Sequence, residues 1–545
     1  MPGAAGSRRR PRSAAAHALA APHALAAALA LALALALAAA LALAVVPIGA
    51  ASAPTRAASA GARAVQGGRP GADSRRPATV GRGAPLLWRA CDTRFRCARL
   101  SVPVDYAAPA RGRLALSVVE LPATGPHPVG DLVMNPGGPG ASGVQFLEQT
   151  TFPTALRRSF TLVSFDPRGV GASDPVRCVD AAGIRRLVAL DPAPATPSTI
   201  AGVARAARAF DAACAAHTPR LLLENVGSAA TVEDMDALRA ALGEARLDYL
   251  GFSYGTYLGE LYAERYPTHV RAMVLDGALD PALSSTASDL QQAVGFESDL
   301  RDFFSWCATT TTCTRELPAG ARTAYGELDA GLRAGRRLDA TLKARYGGVQ
   351  RVTLGVFETA VAGALYSDQT WPVLAQAMQQ ALAGSGSILA AIAYSYEGLM
   401  PNGQFSNQLA ANTAVNCLDR PSPTSLSTYE RLAAEMARVA PDFGASSAWG
   451  SLPCAYWPVP AEGTPAPIHA PGSPPILVIG STGDPATPYV WAEAVARELD
   501  RAVLLTRTGP GHTGYLFSAC IQKWTNRYLT TLAMPPPATR CASSS

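Results

Sequence analysis

The pattern of apolar residues changes character near residue 87. Before it, an Ala/Leu run at about 18–46 is followed by a stretch rich in Ala, Gly, Arg and Pro that has no apolar periodicity. After it, short apolar runs bounded by Gly and Pro alternate with stretches whose apolar positions recur every three to four residues. Short apolar runs of this kind are typical of buried strands, and the recurrence every three to four residues is typical of helices. Ordered structure is therefore expected from residue 87 onwards.

The predicted strands and helices alternate in two separate parts of the chain. Strands are predicted at 98–104, 113–120, 131–134, 160–165, 247–252, 272–275, 475–479 and 502–506. Helices are predicted at 231–242, with Thr231 as its N-cap, and at 254–266, 489–499 and 516–532. Two strands that are joined by a crossover helix pair in parallel within one sheet. The pattern predicts an α/β fold: a mostly parallel sheet with helices on both faces.

Residues 282–473 interrupt this alternation. Their pattern predicts helices at 290–304, 321–332, 354–364, 371–383 and 428–439. Because the sheet resumes afterwards, we expect a helical lid over the carboxyl ends of the strands, where active sites of open sheets lie. The predicted core then comprises 87–281 and 474–545, with the lid inserted between them.

The N-terminus has the features of an export signal. Arginines within residues 8–12 precede the long apolar run, and Ala51-Ser52-Ala53 fits the small-x-small cleavage pattern. We expect a signal peptide over 1–53, cleaved after Ala53, and a linker or pro-segment over 54–86. The length of the apolar run leaves an uncleaved membrane anchor as the alternative. Cleavage would give a secreted protein without stable membrane association.

Composition and charge place the chain among globular proteins. Hydrophobic residues make up 48% and charged residues 16% of the sequence. The formal charge of +6 originates in residues 1–90, which hold 11 arginines and one acid. The other 455 residues hold 36 basic and 40 acidic side chains. This mildly acidic body gives no reason to expect nucleic-acid binding, and the oligomeric state has no signal in the sequence.

Ten cysteines support export. They fall into neighbouring couples: Cys91/Cys97, Cys178/Cys214, Cys307/Cys313, Cys417/Cys454 and Cys520/Cys541. An even number in an exported chain predicts disulfides, of which sequential pairing is the simplest of many connectivities. We expect a Cys417–Cys454 bridge that staples a lid lacking a large core of its own. No C-x-x-C motif occurs, so no zinc site is expected, and no metal or organic cofactor is predicted.

A nucleophile motif lies where a predicted strand meets a predicted helix. Gly251-Phe252-Ser253-Tyr254-Gly255 is a G-x-S-x-G sequence. In a tight strand–turn–helix, small residues must flank the serine two positions away on either side, and the serine projects above the sheet. Ser253 is therefore the candidate nucleophile, and we call its strand–turn–helix segment the nucleophile elbow and the helix at 254–266 the elbow helix. The alternative is an ordinary glycine-rich turn.

The candidate base and acid follow the last two predicted strands. Of the histidines after Ser253, His269 lies in a loop behind the elbow helix and His469 among prolines, whereas His512 lies in a glycine-rich loop after the final strand. Asp484 follows the preceding strand, which matches the chain order Ser, Asp, His. It would orient the imidazole, or else cap the next helix.

The oxyanion hole is expected from the glycine-rich segment 135–140 and the elbow. Glycines allow backbone N–H groups to approach a developing negative charge. Tyr254 would supply one N–H and Gly138 the other, with Gly137 as the nearby alternative. A plain turn is the other interpretation of this segment.

These motifs together resemble a known family. Segments 134–140, 165–175, 251–256, 481–488 and 509–512 are similar, in the same order, to the secreted tripeptidyl aminopeptidases of actinobacteria and their proline iminopeptidase-like relatives. The resemblance covers about 87–541 and implies the α/β-hydrolase fold with a TAP-like C-terminal region. It also implies a serine peptidase that releases short peptides, tripeptides in that family, from the free N-termini of peptide substrates through an acyl-enzyme.

The resemblance also implies acidic groups in the lid that bind the substrate's α-ammonium. Glu397 and Asp419 are the candidates, although each could equally be an ordinary surface or structural acid. The alternative activity is a carboxylesterase that acts on small acyl esters with the same triad. A non-enzymatic binding protein on the same fold is the third hypothesis.

Overall fold

A ten-stranded sheet forms the centre of the computed structural model, which describes residues 85–542. Its strands, in chain order, are β1 (Arg89–Ala90), β2 (Arg96–Pro103), β3 (Arg113–Leu121), β4 (Gly130–Asn135), β5 (Phe160–Phe165), β6 (Leu247–Phe252), β7 (Val270–Asp276), β10 (Ile476–Gly483), β11 (Ala502–Pro510) and β12 (Arg540–Cys541). A separate hairpin pairs β8 (Asp339–Thr341) with β9 (Val349–Arg351). The expected signal peptide and most of the expected linker lie outside the described residues.

The order of strands across the sheet is β1-β2-β3-β5-β4-β6-β7-β10-β11-β12. β1, β2, β3 and β5 pair antiparallel, and every pairing from β5 through β4 to β12 is parallel. The mostly parallel sheet predicted from the sequence is confirmed. The carboxyl ends of β4, β6, β7, β10 and β11 consequently meet at one edge.

Helices cover both faces of this sheet. Before the insertion they are α1 (Gly143–Gln149), α2 (Thr154–Ser159), α3 (Ala181–Val188), α4 (Pro197–His217), α5 (Arg220–Leu223), α6 (Ser228–Leu242) and α7 (Tyr254–Arg265). In the insertion they are α8 (Ser285–Thr309), α9 (Thr311–Glu316), α10 (Ala321–Arg333), α11 (Leu354–Leu365), α12 (Trp371–Leu382), α13 (Ser387–Tyr396), α14 (Gln408–Asp419), α15 (Leu426–Met436) and α16 (Gly444–Gly450). The chain then adds α17 (Tyr489–Glu498) and α18 (Ala519–Thr531).

Alternation along the central strands builds a core on each face of the sheet. Val133 and Tyr249 belong to the cluster on one face, and Leu132 and Leu250 to the cluster on the other. Successive side chains of a strand point to opposite faces, and a parallel sheet covered by helices buries both. This explains why β6 is buried at every position.

The lid has a hydrophobic core of its own, so the expectation that it lacked one was wrong. Phe303, Trp371, Leu374 and Tyr394 are buried together with many other lid residues. Short apolar helices of the insertion pack against one another rather than only against the sheet. The amphipathic pattern of each single helix could not show this, because it does not identify the helix's partner.

Five disulfides join the neighbouring cysteine couples. They are Cys91–Cys97, Cys178–Cys214, Cys307–Cys313, Cys417–Cys454 and Cys520–Cys541. The fourth is the bridge expected from the sequence: it joins α14 to the segment that leads towards β10. Its sequence separation of 37 residues corresponds to about 4 kcal/mol in the chain-entropy model.

Helix α6 begins earlier than predicted. It starts at Ser228, so Thr231 lies within its first turn instead of capping it. Asp234, inside the helix, forms a fully buried ion pair with Arg168, whose Nη2 and Nε atoms both lie 2.7 Å from the carboxylate. The N-cap of this helix is Gly227, which makes no side-chain capping bond. A capping side chain is the sequence signal for the start of a helix, so this start left no such signal.

Candidate active site

Ser253 lies at the sharp turn between β6 and α7. Its backbone has φ 54° and ψ −128°. Residues other than glycine rarely adopt this conformation, and where they do it often marks a functional turn. Its N–H donates to the carbonyl of Asp276 at 2.9 Å, and Thr256 N–H donates to the Ser253 carbonyl at 2.8 Å. These bonds hold the serine at the carboxyl edge of the sheet.

The two motif glycines are required by close contact. A Cβ on Gly251 would lie 2.4 Å from the Gly255 carbonyl oxygen. A Cβ on Gly255 would lie 2.7 Å from the Asn135 carbonyl oxygen. Real carbon–oxygen contacts are longer than this, so α7 can pack against the end of β6 only without a side chain at 251, and against the end of β4 only without one at 255.

His512 and Asp484 form a buried pair beside this turn. His512 Nδ1 lies 2.8 Å and 3.0 Å from the two carboxylate oxygens of Asp484. The carboxylate also accepts N–H groups from Ala486, Thr487 and Thr513 at 2.8–3.0 Å. Asp484 is thereby held with its charge towards the imidazole, and Nε2 is left without a partner within residues 85–542.

The lid covers the imidazole. The backbone N–H of His512 donates to the carbonyl of the lid residue Tyr366 at 2.9 Å. The Tyr366 ring packs edge-on against the imidazole, with ring centroids 5.2 Å apart. Burial disfavours the imidazolium, but the charge and hydrogen bond of Asp484 outweigh it and raise the pKa of His512. This environment suits a general base that becomes charged during the reaction.

Asp276, at the end of β7, links the serine turn to the histidine loop. Its carbonyl binds Ser253 N–H, and its buried carboxylate accepts the N–H groups of Gly514 and Tyr515. Burial raises the pKa of Asp276 to about 7. The next residue, Gly277, approaches the imidazole so closely that a Cβ there would lie 3.4 Å from His512 Cε1. Asp276 thus places the imidazole next to the strand end that holds the serine.

The glycine-rich loop after β4 touches the elbow. A Cβ on Gly137 would lie 2.8 Å from Tyr254 N. The Gly137 N–H is already bound to Asn135 Oδ1 at 2.8 Å, whereas Gly138 lines a cavity with Ser253 and Tyr254. The arrangement favours Gly138 over Gly137 as the second oxyanion donor.

That cavity, of about 280 Å³, lies between the sheet edge and the lid. Its described lining is mostly polar, and the charged side chains in it are Asp289 and Arg420. Asp289 accepts a hydrogen bond from Ser451, and burial raises its pKa to about 7. No motif marks either residue in the sequence, so both were missed there.

The two acids expected to bind an α-ammonium lie elsewhere. Asp419 does not line the cavity: its buried carboxylate accepts bonds from Ser228 and Tyr254. Glu397 is half-buried in the wall of a second, largely apolar cavity of about 450 Å³, and burial raises its pKa to about 7. The structure therefore brings Ser253, Gly138 and Tyr254 together beside the His512–Asp484 pair, but does not bring Asp419 to the cavity.

A buried His–Asp pair next to a serine elbow, on a mostly parallel sheet, defines the class: the protein is a serine hydrolase of the α/β-hydrolase fold. The matching family models agree. Residues 132–317 match the alpha/beta hydrolase fold family, and residues 440–541 match the family described as TAP-like protein.

Three relatives place the chain more closely. Serine protease Hip1 and carboxylesterase B, both from Mycobacterium tuberculosis, are each 34% identical to it, over 84% of this chain and 91% of theirs. The tripeptidyl aminopeptidase of Streptomyces coelicolor is 32% identical, over 80% of this chain and 81% of its own. The chain belongs to this family of TAP-like α/β hydrolases. Within residues 85–542, no helix has the length and apolar character needed to cross a membrane.

Proposed function

We propose that the protein is a secreted serine aminopeptidase that removes short peptides from free N-termini of peptide substrates. The observation that carries the proposal is a cavity between the sheet edge and the lid that combines the serine elbow with a half-buried carboxylate, Asp289. The related tripeptidyl aminopeptidase and serine protease support a peptidase, and the former suggests tripeptides as products.

The proposed mechanism is acyl transfer. Ser253 Oγ attacks the scissile carbonyl while His512 Nε2 takes the hydroxyl proton, and Asp484 stabilises the imidazolium. The N–H groups of Tyr254 and Gly138 bind the oxyanion of the tetrahedral intermediate. Its collapse breaks the C–N bond, and His512 returns the proton to the leaving amine. Water, activated by His512, then hydrolyses the ester on Ser253.

Asp289 is our candidate for binding the α-ammonium of the substrate. A carboxylate desolvated in the cavity wall gains a charge-assisted hydrogen bond when an ammonium enters. Glu397 is the second candidate, because its cavity adjoins the Ser253 cavity: the two share Tyr396, Thr413 and Gly450 in their walls. A longer N-terminal segment would reach Glu397, and a shorter one would end at Asp289.

A substrate pair tests the peptidase proposal. The same tripeptide p-nitroanilide is assayed with its N-terminus free and acetylated. We expect turnover of the free peptide only, and an Asp289→Asn variant should raise KM for it at least tenfold. Glu493→Gln, a change on the helix α17 outside both cavity walls, is the control. Equal cleavage of both peptides would refute an aminopeptidase.

A carboxylesterase is the second candidate, favoured by the relative named carboxylesterase B. The same triad and oxyanion hole serve ester hydrolysis, for which Asp289 has no role. Turnover of p-nitrophenyl esters together with absence of turnover of the free tripeptide anilide would establish this alternative.

Secretion and the division of the chain are part of the proposal. We infer a signal peptide over 1–53, a linker or pro-segment over 54–86, and a catalytic core of 87–281 and 474–545 with the lid 282–473 between its halves. Five disulfides favour an oxidising compartment. N-terminal sequencing of protein recovered from culture medium should begin at Pro54 or further along; recovery only from the membrane fraction with an intact N-terminus would refute cleavage.

A further inference from the structure

Lid helix α14 contacts both parts of the proposed oxyanion hole. In its second turn, Asn412 Nδ2 donates to the carbonyl of Pro139 at 3.0 Å, in the loop that carries Gly138. At its last residue, the Asp419 carboxylate accepts a bond from the hydroxyl of Tyr254, the residue whose N–H is the other donor. A single helix of the lid therefore holds each side of the hole.

The Asp419 end is a buried polar cluster. The two carboxylate oxygens accept the N–H and the hydroxyl of Ser228, each at 2.8 Å, and Ser228 Oγ is also hydrogen-bonded to Tyr254 OH. Ser228 is the first residue of α6, so the cluster joins three helices. Charge-assisted bonds between buried groups are strong, and here they hold the Tyr254 side chain in one position.

The Asn412 end is held equally closely. Asn416 Nδ2 donates to Asn412 Oδ1 at 3.0 Å, which orients the amide so that its own Nδ2 faces Pro139. The backbones are in contact as well, since a Cβ on Gly140 would lie 2.7 Å from Asn412 N. The glycine loop can therefore not shift without displacing the helix.

We propose that Asn412 and Asp419 are positioning residues, which align the N–H groups of Gly138 and Tyr254 from the lid side. Oxyanion stabilisation depends on donors fixed at the place where charge develops, and a displacement of about 1 Å can cost about a hundredfold in rate. The inference rests on the acyl-transfer function proposed above. It gives Asp419 a role in the rate with every substrate, in place of recognition of a free N-terminus.

Paired variants test this role. Asp419→Asn and Tyr254→Phe are made singly and together, and assayed on p-nitrophenyl acetate and on the free tripeptide p-nitroanilide. We expect each single change to lower kcat by roughly 10- to 100-fold on both substrates with little change in KM. The double variant should lose no more than either single variant, because both changes break one linkage. Asp211→Asn, at a buried acid of α4 outside the site, is the matched control and should retain full kcat.

The affinity for a transition-state analogue distinguishes a positioning role from a merely structural one, which would leave this affinity unchanged. Affinity for a trifluoromethyl ketone, which forms an oxyanion on Ser253, should fall in Tyr254→Phe and Asn412→Ala by the same factor as kcat/KM, at an unchanged melting temperature. These two variants carry the test if Asp419→Asn does not fold.

Three results would overturn the inference: unchanged analogue affinity, additive losses in the double variant, or an Asp419→Asn effect confined to KM of the free peptide. A wild-type enzyme that hydrolyses the ester but not the peptide would refute the peptidase proposal alone, because the ester still measures the oxyanion hole.

Discussion

Gly251→Ala perturbs the serine elbow without touching a reacting atom. The added Cβ would lie 2.4 Å from the Gly255 carbonyl oxygen, 2.7 Å from its carbon and 2.7 Å from Tyr249 Cε1. Attractive contacts between such atoms lie near 3.5–4.0 Å, so β6 and the first turn of α7 must separate by about 1 Å. The Tyr249 hydroxyl donates to the same Gly255 carbonyl at 2.7 Å, which opposes that movement.

Overpacking of this kind costs about 1–3 kcal/mol, and displacement of a nucleophile by about 1 Å costs about a hundredfold in rate. We therefore expect Gly251→Ala to lower the free energy of unfolding by about 2 kcal/mol and kcat on p-nitrophenyl acetate by about a hundredfold. The control is Gly326→Ala on helix α10, where a Cβ meets no atom within 4 Å; it should keep kcat and gain about 0.5–1 kcal/mol. Urea unfolding and steady-state kinetics measure both quantities. Wild-type kcat and stability in Gly251→Ala would refute the reasoning.

Three further predictions concern the triad and the core. Ser253→Ala and His512→Ala should each lower kcat by several orders of magnitude, and the double variant by no more, because they act in one step; additive losses in initial-rate assays would count against this. The base must be neutral in the free enzyme, so kcat/KM should fall as pH drops through the raised pKa of His512. Asp484→Asn removes the charge that raises this pKa, so it should move the acid limb of the pH–rate profile to lower pH and also lower the plateau. An acid limb that stays in place would contradict the pairing of His512 with Asp484. Asp234→Ala leaves the buried Arg168 charge unpaired and should cost about 3–5 kcal/mol in urea unfolding, with a change under 1 kcal/mol as the contrary result.

The elements and motifs that could be predicted from the sequence are those with local causes. β6 is a short run that is apolar except at Asp248, and Gly251 reflects a steric contact with Gly255, only four residues away. The order of strands along the chain then placed the histidine and aspartate loops at the same sheet edge as the elbow. Sequential pairing of the cysteines also agreed with the structure, in which the bonded cysteines are 6 to 37 positions apart.

Sequence alone determined the fold class, the serine elbow and the segments that surround it, because backbone geometry at these points leaves a residue pattern. Only the tertiary structure decided where the lid's side chains point. Asp419 meets Ser228 across 191 residues, and Ser451 meets Asp289 across 162. A helical pattern shows which face of a helix is apolar but not which partner it meets, so a lid acid can line the cavity, as Asp289 does, or brace the oxyanion hole, as we infer for Asp419. Long-range packing makes that choice, and no short segment of the chain records it.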